Sequence, residues 1–588
     1  MVKSRTNSPA TSGSYSEVRL LAWLATCVSV LSFLFYYQRG EILLYGDAVA
    51  HINIARRVFD SKTPGLLQLG TVWLPLPHLL MIPFLISGEM WRRGAGGSIP
   101  SMVAYVFGVV GMFRLVRGAL SRNDEPDSAA RVAAWTAASV YAVNPNLIYM
   151  QSTAMGEAVY LAFFIWAVVY FGESMREDRK ALTKCGLCLA AACLTRYDGW
   201  FLAAAMAAAF VLLTFVPTGL PKNSPMLAFP WKSGPGGRFW GAKEILPQPA
   251  SKAPDKKPAD TRHQRIAILK FLLLASAAPS LWLAYNGIVY RNPLEFENGP
   301  YSARAIERKT QTPSNPGHPG SGNPLLAGMY FVKSGEANMA ENSSLQRLWV
   351  LVGFAALIGV VLRLRSRQAA TLVPLLFLLV SVPFYALSVA YGGVPIFVPA
   401  WWPFTHYNVR YGLQLLPAFA TSLAVLVGRA LRSGQMNTKL RTAILSTALA
   451  LVMASYISVW NAGPVSLAEA QINMRGRNQL ERQLADWLRR LPSDSTLLMY
   501  LGDHVGALQQ AGTPLRRVIN EGNHRVWKQP SDPEGLWERA LANPAEYADY
   551  VVASEGDPVW KAMQGVHRRE LVEIHVAGQA HASLYSTR

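Results

Sequence analysis

The chain is poor in charge and poorer still in acid. Only 16% of its 588 residues are Asp, Glu, Lys or Arg, against about a quarter in an ordinary soluble domain. With 51% hydrophobic residues, that scarcity excludes a water-soluble globule of normal surface composition. Cysteine is nearly absent: Cys27, Cys185, Cys188 and Cys193 all lie in apolar stretches. Cys185-x-x-Cys188 has a metal or redox spacing but no second pair, so the thiols read as packing groups and no disulfide framework is implied. No internal repeat, Asp-x-Asp pair or glycine-rich phosphate loop is evident. The N-terminus carries Lys3 and Arg5 but no small-residue cleavage site, which points to an uncleaved anchor with its N-terminus in the cytoplasm.

What the chain has instead is long apolar runs. They cover 20–37, 102–120, 132–149, 159–171, 201–215, 266–289, 348–362, 372–390, 413–430 and 442–460, with a weaker one at 182–194. Most approach the length needed to cross a bilayer core, so the expected fold is a polytopic α-helical membrane protein with about 11 transmembrane helices. The stretch 73–86 is also apolar but short and contains Pro75, Pro77 and Pro83, so a helix lying at the interface is expected there.

The net charge of +20 is a topology signal rather than a sign of nucleic-acid binding. Basic residues crowd alternate loops, among them Arg114–Arg131, 176–184, 217–265, 363–367 and 429–441, as the positive-inside rule requires of cytoplasmic loops. Threaded this way, the outer segments are a first loop at 38–100, corners at 144–157, 195–200 and 391–411, the segment 290–342, and everything after 460. The inner loop 217–265, rich in Pro, Gly and Lys, reads as flexible. The chain divides into a membrane module, 1–460, and a segment 461–588 with mixed charge. That segment carries a helical pattern near 480–491 and strand-like STLLMYL and YADYVVAS, so a small extracytoplasmic α/β domain is expected.

The outer corners hold the chemistry-bearing residues. In YGDAVAHINIARR, Asp47 and His51 are four apart and share a helix face; Asp47 also suits a helix cap. In NPNLIYMQSTAMGEAVYL, Glu157 opens an apolar run, where an acid also serves the helix dipole. In LTRYDGWFL, Arg196 and Asp198 flank a turn, either as a structural pair or as site residues. In FTHYNVRYGLQLLPA, Tyr407, Arg410 and Tyr411 precede a span; Arg410 can grip a phosphate through its planar fork or snorkel to headgroups.

Together these segments resemble the GT-C superfamily of membrane glycosyltransferases, similar to protein O-mannosyltransferases and the lipid A aminoarabinose transferase. The resemblance covers 17–460 as architecture, on short motifs. It implies a first-loop catalytic acid, here Asp47, and a second outer acid, here Glu157. One departure from the mannosyltransferase pattern is that Asp47 is followed by Ala48 rather than a second acid, which leaves the acceptor class open. The implied reaction is inverting transfer of a sugar from a polyprenyl-phosphate donor to a glycolipid, glycan or protein acceptor. Asp47 would act as general base, and Arg410, with Arg196, would hold the phosphate. His51, Asp198, Tyr407 and Tyr411 complete the expected substrate contacts. A divalent ion on Asp47, His51 and Glu157 is the candidate cofactor. The rival readings are a secondary transporter or lipid flippase and a non-catalytic scaffold; for a transporter, repeated halves and midspan acids would be expected.

Overall fold

In a bilayer an apolar run must satisfy its backbone polar groups within itself, and these runs do so as helices. The computed structural model describes residues 9–121, 127–176, 179–215, 259–310, 317–363, 369–433, 437–523, 533–566 and 568–587. Among them, eight helical stretches are long and apolar enough to span a membrane: Ser16–Gln38, Ala95–Leu120, Glu157–Ser174, Ile266–Val289, Ser343–Val361, Val373–Tyr391, Val409–Arg432 and Thr438–Leu488. The chain is an integral membrane protein.

Three of the eleven expected runs form shorter helices. The run 132–149 is cut at Asn144–Pro145 into Ser128–Ala142 and Pro145–Gln151. Proline supplies no N–H to continue the first helix, and the Asn144 side chain accepts from Leu147 N–H to start the second. Arg179–Cys193 has 15 residues, and the apolar part of the next helix is Asp198–Leu212. The stretch around 73–86 contains the short helix Leu76–Leu85. The inner loop 217–265 lies outside the described residues except at its end, where Ala259–Val289 begins. The segment 290–342 is not wholly loop: Pro324–Met339 is a helix packed on Ser381–Tyr391 and on Val409–Leu415.

Small residues let the helices approach closely. Ser128–Ala142 buries Ala129, Ala130, Ala133, Ala134, Ala137 and Ala138 along one side, and this helix packs on Leu416–Arg432. Several of the described basic residues near helix ends are paired with acids. Glu17 accepts from Arg117 at 2.9 Å and from Arg131, Arg114 pairs with Glu173, and Arg432 reaches Leu120 O and Asp127.

Beyond the last long helices lies a five-stranded sheet. Its strands are β1 (Leu497–Met499), β2 (Val518–Ile519), β3 (Tyr550–Ser554), β4 (Arg569–Ile574) and β5 (Ala582–Ser586), in the order β2-β1-β3-β5-β4. β1 runs parallel to β2 and β3, and β5 is antiparallel to β3 and β4. Leu498, Ile519, Val551 and Ala553 pack with Trp537 and Val559 of flanking helices. Before the sheet comes Val465–Leu488, which returns to the bundle. Its N-terminal Ser466 N–H donates to Asn146 Oδ1 at 3.0 Å, and Tyr45 OH donates to Ser466 O at 2.7 Å.

Candidate active site

Five short pieces of chain meet at the corner ends of the helices. Asp47 stands in the first turn of Gly46–Arg57, and Glu157 begins Glu157–Ser174. Arg196 occupies the turn after Arg179–Cys193, and Asp198 opens the next helix. Arg410 lies in a 3₁₀ segment, Val409–Leu415. The fifth piece is Val465–Leu488, which carries Glu469.

Local backbone rules place Arg410. Phe397 and Tyr407 form an antiparallel bridge, and the chain then turns through Asn408 in the left-handed region at φ 53°, where asparagine is among the best-tolerated residues. Asn408 Nδ2 donates to Pro395 O at 2.8 Å, and Asn338 Nδ2 donates to Val409 O at 2.8 Å. Gly412 presses directly on the Ser334–Gly335 backbone, leaving no room for a Cβ. Gly412→Ala should therefore cost about 1–3 kcal/mol of stability, as overpacking does, and shift Arg410. A loss of melting temperature is expected; an unchanged melting curve would show that this contact does not set the 3₁₀ segment.

Arg410 is the hub. Its Nη2 donates to Asp47 Oδ2 at 2.6 Å, its Nε to Glu157 Oε1 at 3.2 Å, and its Nη1 to Glu469 Oε1. Glu469 also accepts the backbone N–H groups of Asn408 at 3.1 Å and Arg410 at 3.2 Å. Arg196 forms a second hub: Nη1 donates to Glu157 Oε1 at 3.3 Å, Nε to Asp198 Oδ2 at 3.3 Å, and Nη2 to Tyr385 OH at 2.8 Å. Tyr411 joins the two, its ring 4.8 Å from the Arg196 guanidinium and 5.0 Å from that of Arg410. The Tyr45 ring lies 4.9 Å from Arg410. Such cation–π contacts hold a guanidinium in plane without using its donors.

Exposure separates the acids. The side chains of Glu157, Asp198 and Glu469 are 1%, 2% and 0% exposed, whereas that of Asp47 is 42% exposed. Asp47 is the carboxylate that an incoming molecule can reach. Tyr407 is at the rim, half-exposed with its ring against Phe397.

Of the residues expected from the sequence, Asp47, Glu157, Arg196, Asp198, Arg410 and Tyr411 come together. His51 lies beside them but bonds elsewhere: its Nδ1 is 2.8 Å from His78 Nε2, and its ring lies against Trp73. Burial pushes both imidazoles below the ordinary histidine range, His78 furthest, while Asp47 pulls His51 the other way. Two neutral rings sharing one proton satisfy that contact. The expected metal set of Asp47, His51 and Glu157 does not converge, because Arg410 bridges the two carboxylates and His51 is turned to His78. Among the described residues, Glu573, His575 and His581 are the group whose ligand atoms lie close enough together for one ion.

Glu469, Tyr45, Tyr385 and His78 were not anticipated. Glu469 lies past the 460/461 boundary drawn from the sequence, yet it is as buried as any acid in the cluster.

The fold and the cluster define a polytopic membrane protein in which several helix-end corners converge on one acid–guanidinium site. The chain matches no protein-family model and no curated protein. Among solved structures, ArnT from Cupriavidus metallidurans in the apo state aligns over 98% of both chains, at 12% identity and a TM-score of 0.50. The Archaeoglobus fulgidus oligosaccharyltransferase tethered to an acceptor peptide aligns over 97% of this chain and 74% of its own, at 12% identity and a TM-score of 0.45. The likeness to ArnT extends over nearly the whole chain and is a likeness of fold.

Proposed function

We propose that the protein transfers a sugar from a polyprenyl-phosphate donor to an acceptor hydroxyl at the outer face of the membrane, with inversion. The observation that carries this reading is the contrast within the cluster: one open carboxylate, Asp47, held by a buried guanidinium that also contacts Glu157 and Glu469. Asp47 takes the acceptor proton as the acceptor attacks the anomeric carbon. The bond from that carbon to the phosphate oxygen breaks, and the phosphate leaves with the electron pair. Arg410 turns from Asp47 to the phosphate, with Arg196 beside it, so binding of the donor frees the base. Glu157 and Glu469 hold the two guanidiniums ready, which is electrostatic preorganisation.

The donor's lipid tail has a fitting neighbour. An apolar cavity of about 450 Å³ lies between Ser343–Val361, Val373–Tyr391 and Val409–Arg432, lined by Phe354, Leu375, Val382, Leu415 and Phe419 among others. Leu415 ends the 3₁₀ segment that carries Arg410. A polyprenyl chain seated there would lead its phosphate toward the guanidinium.

A divalent ion fits the oxygen donors of the cluster in part. Four carboxylates, Asp47, Glu157, Asp198 and Glu469, face two guanidiniums, an excess of two negative charges. Glu157 Oε2 is also buried without a hydrogen-bond partner. Only once Arg410 has turned to the phosphate would Asp47 and Glu157 be free to hold such an ion, which would lend positive charge to the departing phosphate.

The direct test is a glycolipid and glycoprotein profile of cells with and without the gene. A missing glycosylated product supports transfer. An unchanged product set with altered lipid distribution supports a flippase. Orientation is tested separately. Asp503, exposed in Leu501–Ala511, should lie opposite the basic loops, so a cysteine there should react with an impermeant thiol reagent from outside. A cysteine at 256 should be spared, and the reverse pattern would invert the threading.

A further inference from the structure

Far along the chain from the acid–guanidinium cluster, three adjacent strands of the sheet end in a second group of chemistry-bearing side chains. His575 follows β4 directly and His581 precedes β5 directly, so the Ile574–Ala582 register carries them to facing positions. Glu555 follows β3, and its N–H donates to His581 O at 2.9 Å, extending the β3–β5 ladder by one step. Glu573 lies two residues before His575 on β4, hence on the same face of the sheet. The sheet thus sets two imidazoles and two carboxylates side by side at its edge.

The two His Nδ1 atoms lie 2.6 Å apart, with the rings nearly perpendicular at 88°. Lone pairs that close repel unless a proton lies between them, and a metal ion bound at about 2.0–2.1 Å from each nitrogen requires the rings to part by several tenths of an ångström. Each ring turns its other nitrogen to a carboxylate: His575 Nε2 to Glu573 at 3.1 Å and His581 Nε2 to Glu555 at 2.8 Å. A carboxylate behind each imidazole is the arrangement that fixes the tautomer and direction of metal-binding histidines. One ligand atom each from Glu573, His575 and His581 falls within a 4.8 Å span.

We propose that this edge is a binding site for one divalent transition-metal ion of the zinc, nickel or copper class, held by the Nδ1 atoms of His575 and His581. The carboxylates of Glu573 and Glu555 orient the rings. Imidazole nitrogens favour these ions over magnesium and calcium, which take oxygen ligands. The ion replaces the proton shared by the two rings and clamps the mouth of the β4–β5 hairpin. Gln579, in the hairpin loop, packs on Gly476 of Val465–Leu488, the helix that carries Glu469. The ion would therefore stiffen a contact to that helix while standing outside the transfer chemistry.

The experiment is titration of the full-length chain, free of any polyhistidine tag, in detergent with zinc chloride and separately with magnesium chloride. The expected result is one equivalent of zinc that depends on the two histidines, no magnesium bound at this edge, and a higher melting temperature with zinc than with chelator. The double variant His575→Gln/His581→Gln should lose that equivalent and the thermal shift, while matching the parent's melting temperature in chelator. Glu573→Gln should weaken zinc binding by about 10–100-fold, the usual effect of losing a carboxylate behind a ligand. Zinc bound equally by the parent and the double variant would overturn the proposal, as would a parent that binds no zinc. Magnesium binding that the double variant abolishes would also overturn it.

Discussion

Asp47→Asn should lower sugar transfer by about 10²-fold or more, the scale of losing a general base, while binding of the lipid donor persists. The asparagine keeps the size of the side chain and can still face Arg410 through its carbonyl oxygen, so the cluster should stay assembled. What disappears is the ability to take a proton from the acceptor. The change should therefore appear in turnover and not in donor affinity, and the melting temperature should stay near the parent value because Asp47 is half-exposed. The measurement is transfer and donor binding for both proteins in nanodiscs. A variant that transfers at the parent rate would leave Asp47 as a first-turn acid and a partner for Arg410, without a role as base.

That test could be designed from the sequence because the residues it concerns lie where charge is conspicuous. Glu157, Arg196 and Arg410 each stand at the border of an apolar run, where a lone charge stands out, and Asp47 is flagged by its i, i+4 spacing with His51 in the first loop. Glu469 does not stand out: it sits in SLAEAQINMRGRNQLERQ, a stretch whose charges look like an ordinary solvated helix face. Its burial is created by Asn146 and Tyr45 holding the start of that helix against the bundle, which no local pattern announces. Tyr385 is hidden for the opposite reason, as one aromatic in an apolar run. The helix count shows the same limit. Hydropathy found the apolar runs, but the break at Asn144–Pro145 follows from a missing N–H and a capping side chain. The i, i+4 spacing puts Asp47 and His51 on one face without fixing where either side chain points. His78, elsewhere in the first loop, decides that for His51.

Arg410→Ala should be the most damaging single change, and for a reason that reaches beyond donor binding. Glu157 would keep Arg196 as a partner at 3.3 Å, and Asp47 would turn to water. Glu469, fully buried, would keep only two backbone N–H groups, that of Asn408 and that of the substituted position itself. Removing one member of a buried ion pair costs about 3–5 kcal/mol, because the remaining charge is left uncompensated. Arg410→Ala should therefore lower the melting temperature as well as abolish donor binding, and loss of activity alone could not be assigned to chemistry. A second substitution separates the two effects. Glu469→Gln placed beside Arg410→Ala removes the stranded charge while keeping a hydrogen-bonding side chain, so it should restore much of the thermal stability. Donor binding and transfer should stay lost, since neither glutamine nor alanine supplies a cation for the phosphate. The two quantities are read by melting in detergent and by equilibrium binding of a polyprenyl-phosphate sugar. If the double variant recovers both stability and donor binding, Arg410 is a structural counter-ion for Glu469 and the phosphate is held elsewhere, with Arg196 the next guanidinium to change.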